Sequence, residues 1–256
     1  MSNLEKALAI ADPRQRAWIE VDASAIEANT RKLRSLLAEN CLFMAVVKAD
    51  GYGHGALTVA RAALRGGAHK LGVATLQEGI ELRQAGLTCP ILLLGTLNII
   101  KEFETCIKWK LMPTLSTCRE AFLCQKAAKN CGLKVNIHLK IDTGMTRLGC
   151  DFDDALALVK IINSLENVIL QGVYSHLANA DDCRSSVTNK QQQKFENVIK
   201  ILNQKNNNLC YHLANSAGTL RDHNLHYNMV RVGLALYGFN PINDLQNDIG
   251  LRPALS

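Results

Sequence analysis

The 256-residue sequence predicts an α/β fold, and within that class a closed (β/α)8 barrel of the TIM type. Short apolar runs alternate with longer amphipathic stretches, which is typical of a parallel sheet covered by helices. Eight such units within about 220 residues fit a closed barrel, which needs a similar length. An open doubly wound sheet is the alternative, but the GxGxxG turn that follows the first strand of such sheets is absent from this sequence.

The elements follow one another in a regular order. A leading strand is predicted at 17–21, and a helix at 24–37 with Asp22 placed to cap its N-terminus. The eight barrel strands are predicted at 43–47, 71–74, 91–94, 111–114, 135–141, 168–174, 210–213 and 229–232. Helical periodicity is clearest at 56–64, 76–85, 119–128 and 191–202. The leading strand is not needed to close the barrel and the last unit lacks a helix, so both ends are expected to have lost a partner.

The composition is that of an ordinary globular protein, with 48% hydrophobic and 20% charged residues. No apolar run approaches the roughly 20 residues that a membrane helix needs. The N-terminal residues lack the apolar core of a signal peptide, so the cytoplasm is the predicted compartment. The formal charge of +6 is not gathered into a basic cluster with interleaved aromatic residues, which disfavours nucleic-acid binding.

The nine cysteines are predicted to be reduced and buried. No CxxC pair occurs, the count is odd, and the chain is longer than the secreted domains that depend on disulfides. Zinc sites usually draw on closely spaced ligand pairs, and no close set of carboxylates accompanies the histidines. We therefore expect no metal in the functional site.

Lys48 is the first candidate for chemistry. It follows the strand at 43–47 and shares a strand face with Met44 and Val46, which is the interior face if the sheet closes into a barrel. A glycine-punctuated turn comes next and would let its backbone and Tyr52 approach a bound group closely. On position alone, a solvated lysine at a strand end is the commoner explanation. Together with the turn, Lys48 is a candidate for a Schiff base with an aldehyde.

The fifth predicted strand carries ionisable residues on one face. His138, Lys140 and Asp142 alternate with apolar residues, and in a closed barrel they point inward. Unpaired buried charges are costly, so these groups must be paired or modified. Arg147 follows in the loop at the C-terminal end of the strand, where it suits an anion or a phenolate oxygen.

The loops after the seventh and eighth strands occupy the usual phosphate site of such barrels. Ser216 is predicted to cap the next helix, so that its hydroxyl and nearby amides can hold a phosphate. Gly233 would let a backbone N–H reach the same phosphate, and Arg231 shares its strand face and is predicted to point inward. A lysine, a phosphate cradle and a buried arginine together describe a pyridoxal phosphate site.

Two histidines lie near this predicted site. His176 follows the sixth strand and is a candidate for a residue beside the cofactor. His212 lies within the seventh strand, where packing in the core is the commoner role for a histidine. Neither is expected to bind a metal.

Four motifs resemble those of the alanine racemase family, whose members are pyridoxal-phosphate enzymes that interconvert L- and D-alanine. They are 45–55 (AVVKADGYGHG), 140–149 (KIDTGMTRLG), 212–216 (HLANS) and 230–238 (VRVGLALYG). The motifs occur in the family's order, and the resemblance extends from residue 17 to residue 256. It implies a cytoplasmic homodimer that supplies D-alanine for peptidoglycan.

The resemblance implies a role for each candidate. Lys48 would bind the cofactor covalently and act as the base on the D-alanine side. Arg147 would contact the phenolic oxygen of the cofactor and the substrate carboxylate, and Lys140 would carry a carbamate that orients this arginine. Arg231 would face the pyridine nitrogen and keep it unprotonated. The remaining cofactor-binding residues would be Tyr52, His176, Asn215, Ser216, Gly233, Leu234 and Tyr237.

The resemblance also implies a C-terminal β domain, which is absent from these 256 residues. In the family that domain supplies a tyrosine as the second base and a methionine amide for the substrate carboxylate, both in the partner subunit's site. We therefore divide the chain into an N-terminal extension (1–16), the barrel with its leading strand (17–240) and the start of a linker (241–256). The chain alone is expected to bind the cofactor but to racemise alanine slowly or not at all.

Three functions remain open on the sequence. The chain is an alanine racemase whose C-terminal part is missing, a non-catalytic single-domain barrel similar to the pyridoxal phosphate homeostasis proteins, or a racemase for serine or a broader set of amino acids. The motifs around Lys140, Arg147 and Arg231 are not expected in the homeostasis proteins, which disfavours the second function.

Overall fold

The structure, a computed structural model, describes residues 18–203, 208–242 and 249–256. Nine parallel strands and eight α-helices alternate along these residues. The strands are β1 Leu42–Val46, β2 Lys70–Val73, β3 Ile91–Leu93, β4 Thr114–Leu115, β5 Val135–Asp142, β6 Cys150–Asp151, β7 Val168–Tyr174, β8 Cys210–His212 and β9 Met229–Val232. The helices are α1 Ala23–Ser35, α2 Ala56–Arg65, α3 Leu76–Gln84, α4 Ile100–Lys108, α5 Cys118–Cys131, α6 Ala155–Ser164, α7 Val187–Asn203 and α8 Ser216–Arg221. The predicted extension at 1–16 and the middle of the predicted linker lie outside the described residues.

Eight of the strands form a closed (β/α)8 barrel, which confirms the predicted fold class. Two parallel sheets run in the orders β3-β2-β1-β9 and β4-β5-β7-β8. They are joined by two narrow seams. At one, the backbone of Met112 bonds with Ile91 (2.9 Å) and Leu93 (2.8 Å); at the other, the N–H of Arg231 donates to the carbonyl of Ala214 (3.0 Å). Backbone pairing therefore runs around the whole ring.

The predicted strands match the observed ones within one or two residues, except for the fourth. Its paired residues are Thr114 and Leu115, with Met112 forming a single bridge to Leu92, whereas the sequence predicted 111–114. The prediction also missed β6, a two-residue strand that pairs with the end of β5. The sequence analysis expected helical sequence between the strands but did not give bounds for helices α4, α6 and α8.

The leading segment does have a partner, which corrects the expectation that both ends had lost one. Val21 forms an antiparallel bridge with Leu255, and the backbones of Glu20 and Ser256 exchange hydrogen bonds of 2.9 and 3.1 Å. Within 18–21 a single bridge forms instead of the regular strand predicted at 17–21, and residue 17 lies outside the described residues. Asp22 caps α1 as predicted, since its carboxylate accepts the N–H groups that begin the helix.

The apolar side chains form two clusters. The larger lies between the strands and the helices, and includes Leu71, Val73, Ile137 and Leu139. The smaller fills the barrel interior and is formed by Met44, Leu92, Met112, Tyr174 and Met229. Alternate strand residues therefore separate into outward and inward sets, as the sequence predicted for β1 and β5.

All nine cysteines are free thiols, of which four are buried, three are partly buried and two are exposed. Cys118 and Cys183 are exposed, which corrects the expectation of uniformly buried cysteines. Both lie outside the barrel strands, at the start of α5 and in the loop before α7, where nothing covers them. No helix in the described part of the chain is long and apolar enough to cross a membrane.

Candidate active site

A cavity of about 440 Å³ opens at the C-terminal ends of the barrel strands. Ten of the eleven predicted site residues line it: Lys48, Tyr52, Lys140, Arg147, His176, Asn215, Ser216, Arg231, Gly233 and Leu234. Barrel closure brings them together, because the chain places each at the end of a strand or in the loop that follows. The volume is in the range that a cofactor-sized ligand needs.

Lys48 stands at the start of a left-handed turn that ends β1. The segment Lys48–Tyr52 has φ values of 51° at Ala49, 49° at Asp50 and 52° at Tyr52. This conformation is costly for residues other than glycine, so it must be held by its surroundings. The turn carries the Tyr52 ring back beneath the amine, with its centre 5.8 Å from Lys48 Nζ.

Tyr237 is the predicted site residue that does not line the cavity. Its hydroxyl donates to the carbonyl of Val46 (3.1 Å), at the end of β1. Its ring packs 5.2 Å from that of Tyr52 and 4.6 Å from that of His54. Tyr237 therefore packs against the Tyr52 ring. A contact between Tyr237 and a cofactor stays a prediction.

Lys140 is buried beside other cations. Its side chain is 6% exposed, and Nζ lies 5.6 Å from the centre of the Tyr174 ring. Burial, and then the charge of Arg231, lower the pKa of Lys140 to about 8. No carboxylate in the described part of the chain forms an ion pair with it; Asp142 instead accepts three backbone N–H groups of the loop that leads to Arg147.

Arg231 is inside the barrel, as predicted, and its guanidinium is held by several acceptors. It is 4% exposed and donates to the carbonyl of Ser175 (2.7 Å) and to Nδ1 of His212 (2.9 Å). Burial lowers the pKa of Arg231 to about 10, which leaves it charged near neutral pH. The Tyr174 ring packs against it, 5.0 Å from the guanidinium carbon.

A chain of neutral imidazoles extends from Arg231 into the barrel. Burial lowers the pKa of His138 to about 3 and that of His212 well below its ordinary value. Because Arg231 can only donate, Nδ1 of His212 accepts and its proton is on Nε2. That Nε2–H donates to Nδ1 of His138 (2.8 Å). The tautomers of both histidines therefore follow from the arginine.

His176 also lines the cavity and is neutral. Burial, and then the charge of Arg231, lower its pKa to about 3. Its Nδ1 lies 3.4 Å from a guanidinium nitrogen of Arg231. His176 is thus an uncharged polar group among cations.

The predicted phosphate cradle is assembled around Ser216, but its helix cap is a different residue. Asn215 caps α8, since its side chain accepts the N–H of Gly218 (2.9 Å); the prediction that Ser216 is the cap was wrong. The Ser216 hydroxyl instead faces β9 and accepts the N–H groups of Gly233 (3.0 Å) and Ala235 (3.3 Å). A β-carbon at Gly233 would lie 3.1 Å from the Tyr52 hydroxyl.

The wall carries four cationic side chains, those of Lys48, Lys140, Arg147 and Arg231. Asp181 is the only carboxylate among the described residues that line it. Two further lining residues, Tyr174 and Asp181, were not predicted from the sequence. Tyr174 could have been found from its inward position on β7, whereas Asp181 lies in an irregular loop that no pattern marks. Within the described residues, no group of three or more His, Cys, Asp or Glu side chains is arranged to hold a metal.

Comparison with known proteins gives the family. The profile described as alanine racemase, N-terminal domain, matches residues 21–241. The chain belongs to the alanine racemase family. Alanine racemase of Prochlorococcus marinus is 57% identical over 249 residues, which cover 96% of this chain and 64% of that protein. Alanine racemase of Synechocystis sp. is 46% identical, with 95% of this chain and 66% of that protein covered.

Solved alanine racemases share the fold. The enzyme of Clostridium difficile 630 in complex with cycloserine superposes with a TM-score of 0.88 at 36% identity, covering 93% of this chain and 66% of that one. The enzyme of Bacillus anthracis with bound L-Ala-P gives a TM-score of 0.86 at 32% identity, covering 93% and 62%. This chain therefore spans about two thirds of the length of the alanine racemases that it matches.

Alanine racemases depend on pyridoxal 5'-phosphate, and the residues present here fit that cofactor. Gly233 lies beside both Ser216, whose hydroxyl accepts its N–H, and Tyr52, whose hydroxyl a β-carbon at position 233 would crowd. Arg231 and Lys48 line the same cavity. The excess of cations suits a ligand that carries a phosphate.

Proposed function

We propose that this protein binds pyridoxal 5'-phosphate in the cavity and interconverts L- and D-alanine. The observation that carries the proposal is the convergence, in one cavity, of the Lys48 amine, a cradle of hydroxyl and backbone N–H groups, and the buried Arg231. Lys48 would attach the cofactor, while Tyr52, Ser216 and the N–H groups of Gly233 and Leu234 would hold its phosphate. His176 and Asn215 line the same wall and complete the binding site.

Arg231 would act as a fixed cation next to the pyridine nitrogen. Its guanidinium keeps its proton near neutral pH, and its acceptors hold it in place. A permanent positive charge at that point disfavours protonation of the facing nitrogen. When bound, the cofactor ring withdraws electrons from the substrate Cα, and a weaker withdrawal favours return of the proton over transamination.

Lys48 and Arg147 would handle the substrate. The Lys48 Nζ would remove or return the Cα proton on one face, and Arg147 would bind the substrate carboxylate and the cofactor's phenolic oxygen. The proton on the other face needs a second base, which we assign to the partner subunit of a cytoplasmic homodimer. Assayed on these 256 residues alone, racemisation is then expected to be slow; turnover in the ordinary range of about 1–10³ per second would contradict this.

Lys140 would carry a carbamate. With its pKa lowered to about 8, about one tenth of the amine is neutral at pH 7. The neutral amine can add to CO₂, forming an N–C bond and releasing one proton, and the resulting anion would pair with Arg147. This modification would replace the unpaired buried cation by a paired anion.

An absorption spectrum with pyridoxal phosphate tests the binding. We expect a borohydride-reducible band near 420 nm, roughly the wavelength at which a lysine-bound cofactor absorbs, and its loss in Lys48→Ala. Lys70→Met is the matched control, because Lys70 is also a buried lysine of a barrel strand but lies at the N-terminal end, away from the cavity. A band that survives in Lys48→Ala, or that is absent from the wild type, would refute the proposal.

Racemisation assays with alanine and serine then separate the functions. Exchange of the Cα proton of alanine that depends on Lys48 supports the racemase. Cofactor binding with no exchange of either amino acid would instead favour a non-catalytic cofactor protein. Faster exchange of serine would give a broader or different specificity.

A further inference from the structure

The same capping arrangement recurs at three successive strand–helix junctions. At the start of α3, α4 and α5, a glutamate in the first turn folds back, and its Oε2 accepts two backbone N–H groups that precede the helix. The three glutamates are Glu78, Glu102 and Glu120. This arrangement satisfies N–H groups that a helix leaves without partners, so all three residues have a structural role.

Glu78 makes one contact that the other two do not. Its second oxygen, Oε1, accepts the N–H of Ala49 at 2.8 Å, in the neighbouring βα unit. In the described part of the chain, the second oxygens of Glu102 and Glu120 accept no hydrogen bond from another unit. One carboxylate thus ties the end of β2 and the start of α3 to the residue that follows Lys48.

The contact falls on the part of the backbone that most needs support. Ala49 begins a run of five residues with positive φ, which ends at Gly53. Such a run is disfavoured for its three non-glycine members, and the first N–H of a helical turn has no acceptor within the turn. The internal hydrogen bonds start later, from the N–H of Gly51 to the carbonyl of Val47 (3.0 Å). Glu78 therefore supplies the acceptor that Ala49 lacks.

We propose that Glu78 is a positioning residue for Lys48. Its carboxylate fixes the left-handed turn and thereby the direction of the Lys48 amine and the placement of Tyr52. Glu78 does not line the cavity, so it acts through the backbone of Ala49 and not on a ligand. The proposal rests on the proposed function, because the amine that it positions is the one that would bind the cofactor.

The test compares Glu78→Gln with Glu102→Gln. A glutamine has one acceptor oxygen and an NH₂ group, so at position 78 it cannot keep both the helix cap and the contact with Ala49. At position 102 the same substitution affects only a helix cap. Glu78→Asp is the third variant: its carboxylate can still cap α3 but is one methylene too short to reach Ala49 as well.

Two measurements are made on each variant. Amide hydrogen exchange of residues 49–53, without added cofactor, should speed up by about tenfold or more in Glu78→Gln and Glu78→Asp, roughly the effect of losing one hydrogen bond to a charged group. The affinity for pyridoxal phosphate, measured by absorbance, should weaken by a similar factor. Glu102→Gln should leave both unchanged. Equal exchange at 49–53 in the variants at positions 78 and 102, or wild-type exchange in Glu78→Asp, would overturn the proposal.

The two measurements separate this proposal from the proposed function. If the wild type does not bind pyridoxal phosphate, the proposed function fails, and the exchange data still decide whether Glu78 holds the turn. If the wild type binds but the Glu78 variants exchange normally, the positioning role fails while cofactor binding stands.

Discussion

Acidification from pH 7 to pH 5 is predicted to destabilise the fold through its buried histidines, of which His138 and His212 are the most deeply buried. His138 and His212 are fully buried and neutral, and burial lowers the pKa of His138 from 6.5 to about 3. The pKa of His212 is lowered in the same way. In the unfolded chain both imidazoles bind a proton near pH 6.5, so the unfolded state holds more protons below that pH. The contribution of these neutral histidines to the free energy of unfolding is therefore fully present above about pH 6.5, and it is lost as the pH falls towards 3.

The size of the effect follows from the shift. For each proton that only the unfolded state binds, the free energy of unfolding falls by about 1.4 kcal/mol for each unit by which the pH is lowered. Integrated from pH 7 to pH 5, with an unfolded pKa of 6.5, this gives about 2 kcal/mol for His138, and His212 acts in the same direction. Domains of this kind are typically stable by about 5–15 kcal/mol, so the loss is a large share of the total.

Urea unfolding at pH 7, 6, 5.5 and 5 measures this dependence. In His138→Gln, the slope of the unfolding free energy against pH below 6 should fall by about 1.4 kcal/mol per unit, whatever the substitution does to the absolute stability. His223→Gln is the control, because His223 is exposed and faces water in both states. An unchanged slope in His138→Gln would show that the imidazole is protonated inside the fold and would refute the reasoning.

Three further outcomes are expected. Gly172→Ala should lower the unfolding free energy by about 1–3 kcal/mol in urea, because the new β-carbon would lie 2.5 Å from the His138 ring; wild-type stability would contradict this. Asp22→Ala should cost about 1 kcal/mol in the same assay, since it removes the cap of α1; no loss would show that the cap is not needed. A ¹³C-carbamate NMR signal should appear with ¹³CO₂ at pH 8 and vanish in Lys140→Met; a signal that persists would place the carbamate elsewhere.

The alternation of residues along the strands predicted where several site residues lie. It placed Lys140 and Arg231 in the barrel interior and Lys48 on the inward face of β1, and the cavity contains all three. This works because backbone geometry forces alternate residues of a strand to opposite faces, and barrel closure makes one of them the inside. The site residues at strand ends could therefore be grouped before their contacts were known.

Contacts between a side chain and distant backbone could not be predicted in this way. Ser216 and Asn215 are both good helix caps by type, and only the structure shows that Ser216 turns towards β9 instead. Glu78 stands three residues after Thr75, the spacing of a capping box, and nothing local marks its contact with Ala49. The left-handed conformation at Ala49 also escaped prediction, because alanine is not a residue type that favours a positive φ.

A cofactor bound beside the narrow seam between β8 and β9 would affect the stability of the barrel. Ser216 follows β8 and Gly233 follows β9, and the hydrogen bond between them spans the join. A phosphate held by both residues would brace the ring of strands where its own backbone bonding is thinnest. Empty and loaded protein would then differ in rigidity along this line, and the barrel would gain stability with cofactor concentration. The bound cofactor would therefore stabilise the fold as well as take part in the reaction.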